Sequence, residues 1–505
     1  MAPHGLGDDE DGVHLVPLTP APPGAGKVVA AGPGRRNFID VGVAAMSAAL
    51  AAIALIVACV ALARGGSNGA SCSSSGVATL EAGLPYARCS DQGIWDTMSG
   101  QCLCFDCFRG ATCEHEVPLD ECTIDATGGN PRIFEDYWVR HPEASVNIVP
   151  SEHIGYGEKL GCDKLALDLG SYRVPEAVAL TTRCDLLAEA LRRLHFSIGN
   201  ADARDWHIIP AVGSTHLIMG AMMAYRSAIE SNATVKVVSE PPYYDGYSQA
   251  AQFIAPMARL EWAGIVENSG ELDGEEHVIE YVTSPNNPDG AMRDKRFPQS
   301  SVIFDYAYQW PHYTPVSSDL LDQVPEGGVA LFTMSKVTGH AGTRLGWALT
   351  KDTELALQIY NYLSIHGAIP RESQMRAFTI LRHMEDTNYE ILREARAEMR
   401  RRWDVVDEIF GGSACYHLNA RGDPIVDAWT GENAAATPAY LWLHCENRDA
   451  DNTCYDHLQG FGLRTKKAED YGAAPGTYVR IELLMRAGTF DLMAEKLREV
   501  EASGC

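Results

Sequence analysis

Residues 332–347 read FTMSKVTGHAGTRLGW. The run Val329–Phe332 is apolar, Lys336 follows shortly after it, and glycines and Arg344 come next. A lysine amine that is partly buried and lies near a phosphate-binding cation has a lowered pKa, so it can act as a nucleophile. Because an isolated lysine at a strand end is most often a surface charge, this interpretation depends on the residues around it.

Short apolar runs alternate with helix-like stretches on both sides of this segment. Besides Val329–Phe332, the runs are His207–Val212, Val235–Val238, His277–Val282 and Val302–Phe304. Leu217–Ile229 carries apolar residues at helical spacing. This alternation predicts an α/β fold with a mostly parallel sheet, and ligands of such sheets bind beyond the carboxyl ends of the strands.

Five strings resemble the alliinase and tryptophan aminotransferase-related family of plants, within the fold type I enzymes that use pyridoxal 5′-phosphate (PLP). They are residues 332–347, TSPNNPDG at 283–290, FDYAYQWPHYTP at 304–315, PYY at 242–244 and YVRI at 478–481. The resemblance covers roughly residues 72–505. It implies a PLP-dependent domain over residues 124–505, with a large domain at about 165–365 and a smaller α+β domain from the flanks.

The resemblance also implies a role for each motif residue. Lys336 would hold PLP covalently and act as the catalytic base, and Asp305 would pair with the pyridine nitrogen. Tyr308 and Asn287 would hydrogen-bond the phenolic oxygen of the cofactor, and Asn287 would also lie at the substrate. A carboxylate at position 305 would keep the ring protonated, which makes it an electron sink.

Two further residues would contact the substrate and the face of the cofactor ring. Arg480 would bind the α-carboxylate of the substrate through two parallel hydrogen bonds. Tyr244 would stack on the pyridine ring, and the neighbouring Tyr243 is the other candidate for this role.

The phosphate group would be held where a strand meets a helix. Gly213, Ser214 and Thr215 stand between a predicted strand and a predicted helix, so their amides and hydroxyls can bind an anion at the helix N-terminus. The remaining phosphate ligands that we expect are Thr333, Ser335, Arg344 and Tyr156. Tyr156 would reach the phosphate of a neighbouring subunit, which presumes a homodimer.

The N-terminal region predicts a membrane anchor. Residues 1–37 have the composition of a disordered tail, and residues 38–64 contain the uncharged stretch Val41–Ala63, long enough to cross a bilayer. A cleaved signal peptide or a buried soluble helix would be the alternatives. Lys27, Arg35 and Arg36 precede the stretch, whereas Arg64 alone follows closely, so we expect a cytosolic N-terminus and a catalytic domain in the secretory lumen or outside the cell.

A cysteine-rich module is predicted at residues 65–123. Its cysteines are Cys72, Cys89, Cys102, Cys104, Cys107, Cys113 and Cys122. Such density indicates disulfides, and zinc binding by Cys102, Cys104 and Cys107 is the rival interpretation. The spacing from Cys102 to Cys113 resembles the epidermal-growth-factor-like segment of the family, but the odd number of cysteines leaves the pairing open. Cys445 and Cys454 fit a further disulfide.

The overall charge excludes one class of partner. The formal net charge is −26 with no long basic run, so a nucleic-acid partner is not expected. The motifs predict no metal site, and the sequon at Asn232 is a candidate glycan acceptor.

Two enzyme functions share these motifs. The first is an aminotransferase that converts an aromatic L-amino acid, tryptophan first, to its 2-oxo acid with a keto acid such as pyruvate as acceptor. The second is a carbon–sulfur lyase acting on S-alkyl-L-cysteine sulfoxides. Residues 285–290 and 340–344 resemble the aminotransferase branch more closely. A receptor with an inactive enzyme domain is a third hypothesis, and the complete set of motif residues disfavours it.

Overall fold

The structure is a computed structural model that describes residues 89–90, 92–96, 101–129, 131–141, 185–230, 232–264, 277–365 and 369–505. The predicted tail, the stretch Val41–Ala63, Cys72 and Tyr156 lie outside the described residues. Within the described ranges, none of the helices has both the length and the apolar character needed to cross a membrane.

The cysteine-rich segment is held by disulfides and two small hairpins. Strand β1 (Gly93–Asp96) pairs with β2 (Gln101–Cys104), and β3 (Phe108–Arg109) pairs with β4 (His115–Glu116), both antiparallel. The disulfides are Cys89–Cys102, Cys104–Cys113 and Cys107–Cys122. They engage every cysteine of the rival zinc interpretation, which is therefore wrong. Strand β5 (Ile124–Asp125) and helix α1 (Glu135–Arg140) follow.

A seven-stranded sheet forms the centre of the catalytic region. The strands of this sheet and the helices that precede, connect and follow them are, in chain order, α2 (Asp185–Ile198), β6 (His207–Ala211), α3 (Gly213–Ser227), β7 (Val235–Ser239), α4 (Gly246–Ala258), β8 (Leu260–Gly264), β9 (His277–Thr283), β10 (Ser301–Asp305), β11 (Val329–Thr333), α5 (Met334–Val337), β12 (Gly346–Thr350) and α6 (Thr353–Ile365). The strand order is β6-β12-β11-β10-β9-β7-β8. Strand β12 is antiparallel to β11 and β6, and the pairs among β7 to β11 are parallel. The predicted α/β fold is confirmed.

Both faces of this sheet are buried, which explains the uninterrupted apolar runs in the sequence. Along β10, Phe304 packs into one hydrophobic cluster and Ile303 into the other. Helices α3 and α6 pack against each other, and both carry residues of the cluster around Ile303. Strands β8 and β12 were not among the predicted runs.

The register brings several chain segments to one edge of the sheet. Asp305 at the end of β10 pairs with Thr283 at the end of β9. Thr333 at the end of β11 pairs with Gly346 at the start of β12, and Gly346 pairs with Ala211 at the end of β6. Because β12 runs in the opposite direction, Arg344 before it lies at the same edge as Lys336 after β11. The polar motifs therefore converge here.

A second, antiparallel sheet follows the first. The remaining elements are α7 (Arg371–Asp386), α8 (Glu390–Phe410), β13 (Tyr416–His417), β14 (Ile425–Val426), β15 (Asn433–Ala434), β16 (Tyr440–Cys445), α9 (Cys454–Gly460), β17 (Leu463–Arg464), β18 (Lys466–Lys467), β19 (Tyr478–Glu482) and α10 (Ala487–Ser503). The sheet order is β13-β16-β19-β18. Strands alternate their faces, so the fully buried Val479 and Ile481 point away from the face that carries Arg480 and Glu482.

The segment after the cysteine-rich part belongs to this second region. Strand β5 pairs with β17 in parallel, with Ile124 opposite Leu463. The chain then continues through Thr127, Gly128 and Gly129 towards α1, and Cys445 and Cys454 form the predicted disulfide.

The disulfide Cys415–Cys505 ties the C-terminus to β13 and spans 90 residues. Cys505→Ser should lower the free energy of unfolding by roughly 4 kcal/mol, because a bridge across a loop of this length restricts the unfolded chain. Urea unfolding under oxidising conditions measures the loss. The free energy of unfolding should fall by about the same amount in Cys415→Ser and in the double variant. A double variant that loses twice as much would show that the loss does not come from the disulfide.

Candidate active site

A cavity of about 290 Å³ lies between the strand ends of the first sheet and one face of the second. It is lined by Thr127, Gly128, Gly129, Ser214, Tyr244, Asp245, Thr283, Asn287, Asp305, Ala307, Tyr308, Lys336, Tyr440, Lys466, Tyr471 and Arg480. The structure thus brings seven of the predicted residues together: Ser214, Tyr244, Asn287, Asp305, Tyr308 and Lys336 at the first sheet, and Arg480 from the second.

Lys336 is held by its own main chain. Helix α5 begins directly after β11, and the Thr333 hydroxyl caps it by accepting a hydrogen bond from Ser335 N at 3.2 Å. The Lys336 carbonyl accepts hydrogen bonds from His312 Nε2 at 3.0 Å and from the Tyr313 hydroxyl at 3.2 Å. The lysine amine donates to the carbonyl oxygen of Gly129. Hydrogen bonds therefore fix Lys336 both at its main-chain carbonyl and at its side-chain amine.

Asp305 is a buried carboxylate at the end of β10. Its Oδ2 accepts a hydrogen bond of 2.7 Å from the Tyr247 hydroxyl, and its Oδ1 accepts one of 3.1 Å from Ala307 N. Burial raises the pKa of Asp305 above its ordinary value, and the two hydrogen bonds and the charge of Lys336 oppose this increase. An additional positive charge in the cavity would stabilise the ionised form.

Arg480 lies on β19 and faces the cavity from the second sheet. Its Nη1 donates to Asn287 Oδ1 at 3.1 Å, and its Nη2 donates to the carbonyl oxygens of Thr127 at 2.7 Å and Gly128 at 2.8 Å. Its guanidinium lies 4.1 Å from the ring centroid of Tyr440 and 5.2 Å from that of Tyr471. These contacts fix a buried cation whose Nε has no hydrogen-bond partner within the described part of the chain.

Some tyrosines in this region line the cavity, whereas Tyr243 packs against another side chain. The Tyr308 and Tyr440 hydroxyls are 2.7 Å apart inside the cavity. Tyr244 lines the cavity, and burial raises its pKa to about 12. Tyr243 instead packs edge-on against Trp262, with ring centroids 5.1 Å apart. Of the two candidates for stacking on a cofactor ring, Tyr244 is the one that the cavity exposes.

Only some of the predicted phosphate ligands lie at or beside the cavity. Gly213 has a φ of +77°, and a Cβ there would come within 2.6 Å of Arg344 Nη2, so the guanidinium lies against the start of α3. Ser214 in the first turn lines the cavity, whereas Thr215 is exposed. Thr333 and Ser335 are buried and do not line it, and the Thr333 hydroxyl accepts a hydrogen bond from Ser335 N at the start of α5.

Several residues at or behind the cavity were not predicted. The fully buried Tyr247 lies outside the lining and hydrogen-bonds Asp305. Tyr440 and Thr127 to Gly129 line the cavity, where Tyr440 hydrogen-bonds Tyr308 and the Thr127 to Gly129 segment supplies carbonyl acceptors. The sequence did contain a signal for the last segment in the pair Gly128–Gly129. A Cβ at Gly128 would meet the Glu482 carboxylate at 2.2 Å, and one at Gly129 would meet the Tyr440 hydroxyl at 2.6 Å, so a side chain at either position would force these groups to move.

The residues present fit PLP. A protonated pyridine nitrogen would give the buried Asp305 an opposite charge. The amides at the N-terminus of α3, with Arg344 packed beside Gly213, suit a phosphate group. Lys336 supplies an amine on the same cavity wall. Residues at and beside the cavity therefore offer a partner to the ring nitrogen, the phosphate group and the aldehyde of the cofactor.

The fold defines the class of protein, and the sequence then defines the family. A methionine aminotransferase from Escherichia coli matches with a TM-score of 0.50 and 14% identity, over 75% of this chain and 94% of that one. The architecture is that of the fold type I aminotransferases. The family model described as allinase matches residues 124–501. The chain belongs to this family, as the motifs indicated.

The curated relatives carry two different names. Tryptophan aminotransferase-related protein 3 of Arabidopsis thaliana is 29% identical over 79% of this chain and 82% of its own length. Alliin lyase 2 of Allium sativum is 28% identical over 82% of this chain and 84% of its own length. The protein is therefore a PLP-dependent enzyme of either the transaminase or the lyase type, and overall identity does not separate the two.

Tyr440 should act through the position of Arg480. Tyr440→Leu removes the ring beneath the guanidinium and should raise KM for the amino-acid substrate roughly tenfold, which corresponds to about 1.4 kcal/mol. Tyr440→Phe keeps the ring and should change KM much less. Steady-state kinetics on the two variants measures the difference, and equal KM values would show that the ring contact has no such role.

Glu482 should make substrate binding depend on pH. Burial raises its pKa to about 7, against the opposing charges of Lys336 and Arg480. Below this pH the carboxyl is neutral, and above it the anion competes with the substrate carboxylate for Arg480, so KM should rise as pH passes through about 7. The isosteric Glu482→Gln should flatten this part of the profile. An unchanged KM profile in the variant would contradict the assignment.

Proposed function

We propose that the protein is an aminotransferase that converts an aromatic L-amino acid, with tryptophan the first candidate, to its 2-oxo acid and passes the amine to a keto acid such as pyruvate. One observation supports amino-acid chemistry with PLP. Lys336 in α5, Asp305 at the end of β10 and Arg480 on β19 of the second sheet all line one cavity. A base, a partner for a pyridine nitrogen and a carboxylate-binding cation are what amino-acid chemistry at the α-carbon needs.

Each residue has a defined task in this reaction. Arg480 binds the α-carboxylate and orients the substrate, and Asn287 supports the guanidinium from the side. The Lys336 amine takes the α-proton and can return it to another atom within its reach, which moves the proton without releasing it to water. Asp305, held by Tyr247, keeps a positive charge on the ring nitrogen. Bound PLP supplies the sink for the electron pair that the departing proton leaves behind.

Aromatic side chains favour an aromatic substrate. Tyr440 and Tyr471 line the cavity in addition to Tyr244 and Tyr308, the two tyrosines that the cofactor would contact. Aromatic rings prefer offset or edge-on contacts with one another, worth about 0.5–1.5 kcal/mol beyond their buried area. An indole or phenol side chain would find such contacts here, whereas a short aliphatic side chain would not.

A carbon–sulfur lyase acting on S-alkyl-L-cysteine sulfoxides is the second candidate, and the relatives named alliin lyase favour it. The same lysine, aspartate and arginine would serve it. The reactions diverge after the α-proton has left, when a lyase loses a leaving group from the β-carbon. The resemblance of residues 285–290 and 340–344 to the aminotransferase branch places the first candidate ahead.

We further propose that the catalytic domain lies in the secretory lumen or outside the cell and that the protein is a homodimer. Disulfides in the described chain and the exposed Asn232 support a lumenal or extracellular catalytic domain behind the anchor at residues 38–64. The subunits would form a homodimer, with Tyr156 reaching the neighbouring phosphate. Enzymatic removal of N-linked glycan, followed by mass analysis of the peptide that contains Asn232, tests the location independently of the activity.

A paired assay distinguishes the two reactions. Full-length protein loaded with PLP receives L-tryptophan with pyruvate in one reaction and an S-alkyl-L-cysteine sulfoxide in the other. We expect indole-3-pyruvate from the first and no released pyruvate from the second. Lys336→Ala is the control and should abolish the product. Pyruvate released from the sulfoxide with no keto acid from tryptophan would establish the lyase instead.

A further inference from the structure

Two histidines and a glutamate form a cluster on the second sheet, separate from the active-site cavity. His417 on β13 and His444 on β16 are direct partners in the antiparallel register, and their rings stack with centroids 5.6 Å apart. Glu446 Oε1 lies 2.9 Å from His417 Nε2 and 3.7 Å from His444 Nδ1. The three side chains offer one ligand atom each, and these atoms lie within 4.8 Å of one another.

The chain around this cluster is cross-linked. Cys415, two residues before His417, is bonded to Cys505, and Cys445, between His444 and Glu446, is bonded to Cys454. In addition, Glu446 N donates a hydrogen bond of 2.8 Å to the Cys415 carbonyl. Ligands on such a frame lose little conformational freedom when they bind an ion, and less of the binding energy is spent on ordering them.

We propose that His417, His444 and Glu446 bind a zinc ion. Two imidazole nitrogens and a carboxylate oxygen suit Zn²⁺, whereas Ca²⁺ and Mg²⁺ prefer sites made of oxygen atoms. Both histidines also line an open cavity of about 490 Å³, which leaves room for water as the fourth ligand. The formal net charge of −26 favours the approach of a cation.

The position of the cluster indicates what the ion would do. The same cavity is lined by Pro242 and Asp289, from the loops that precede Tyr244 and follow Asn287. Beside it, the Asn419 side chain donates to the Asp289 carbonyl at 2.7 Å and accepts from Trp442 N at 3.3 Å. A zinc ion would join the short edge strand β13 to β16 close to these hydrogen bonds of Asn419. Its role is to stabilise the fold, apart from the chemistry at Lys336.

Calorimetric titration tests the proposal. Full-length protein, loaded with PLP and freed of unbound cofactor, is titrated with ZnCl₂, and Co²⁺ absorbance reports the geometry of the ligands. We expect one saturable site and a higher Tm with zinc. His417→Ala, His444→Ala and the isosteric Glu446→Gln should each weaken binding at least about tenfold, since loss of even an indirect partner of a metal ligand costs that much.

The control is a second histidine–glutamate pair, for which the described residues offer no third ligand. His115 Nε2 lies 3.6 Å from Glu114 Oε1, and His115→Ala should bind zinc as the wild type does. Bound-PLP absorbance and far-ultraviolet circular dichroism, equal in all four variants, would show that the fold is intact. Zinc affinity that is unchanged in the three cluster variants, or no saturable binding by the wild type, would overturn the proposal.

Discussion

Three consecutive carbonyl groups connect the two halves of the active site. The oxygens of Thr127 and Gly128 accept hydrogen bonds from Arg480 on the second sheet, and that of Gly129 accepts one from Lys336 at the edge of the first. The Gly128–Gly129 pair suits this close approach, because a Cβ at either position would require the Glu482 carboxylate or the Tyr440 hydroxyl to shift. The distance between substrate-binding cation and catalytic amine therefore depends on a segment that is itself anchored by β5 pairing with β17.

The charges of the cavity follow from the same arrangement. Two cations, Lys336 and Arg480, lie near two buried carboxyl groups, and burial raises the pKa of both Asp305 and Glu482. Asp305 is held by Tyr247 and lies at the end of a central strand, so its carboxylate suits a protonated ring nitrogen. Glu482 is two residues from Arg480 on the same face of β19, so its charge acts on the group that binds the substrate.

The parts of the fold that could be predicted are those that the local sequence encodes. Strands β6, β7, β9, β10 and β11 are buried on both faces, which produces continuous apolar runs, and the residues after them meet because parallel strands share an edge. The antiparallel β12 and the partner Tyr440 depend on contacts between distant segments, and no local pattern indicates them. The cluster of His417, His444 and Glu446 likewise depends on the register of the two-residue strand β13. Thr333 was predicted as a phosphate ligand, but its hydroxyl caps α5.

We expect Lys336 to hold PLP opposite Arg480. Reductive trapping of the PLP-loaded full-length protein, followed by peptide mass mapping, identifies the residue because the reduced cofactor stays on its lysine. One modified peptide should result, the one that contains Lys336, and it should be lost in Lys336→Ala. A pyridoxyl group on any other lysine, with Lys336 unmodified, would contradict this assignment.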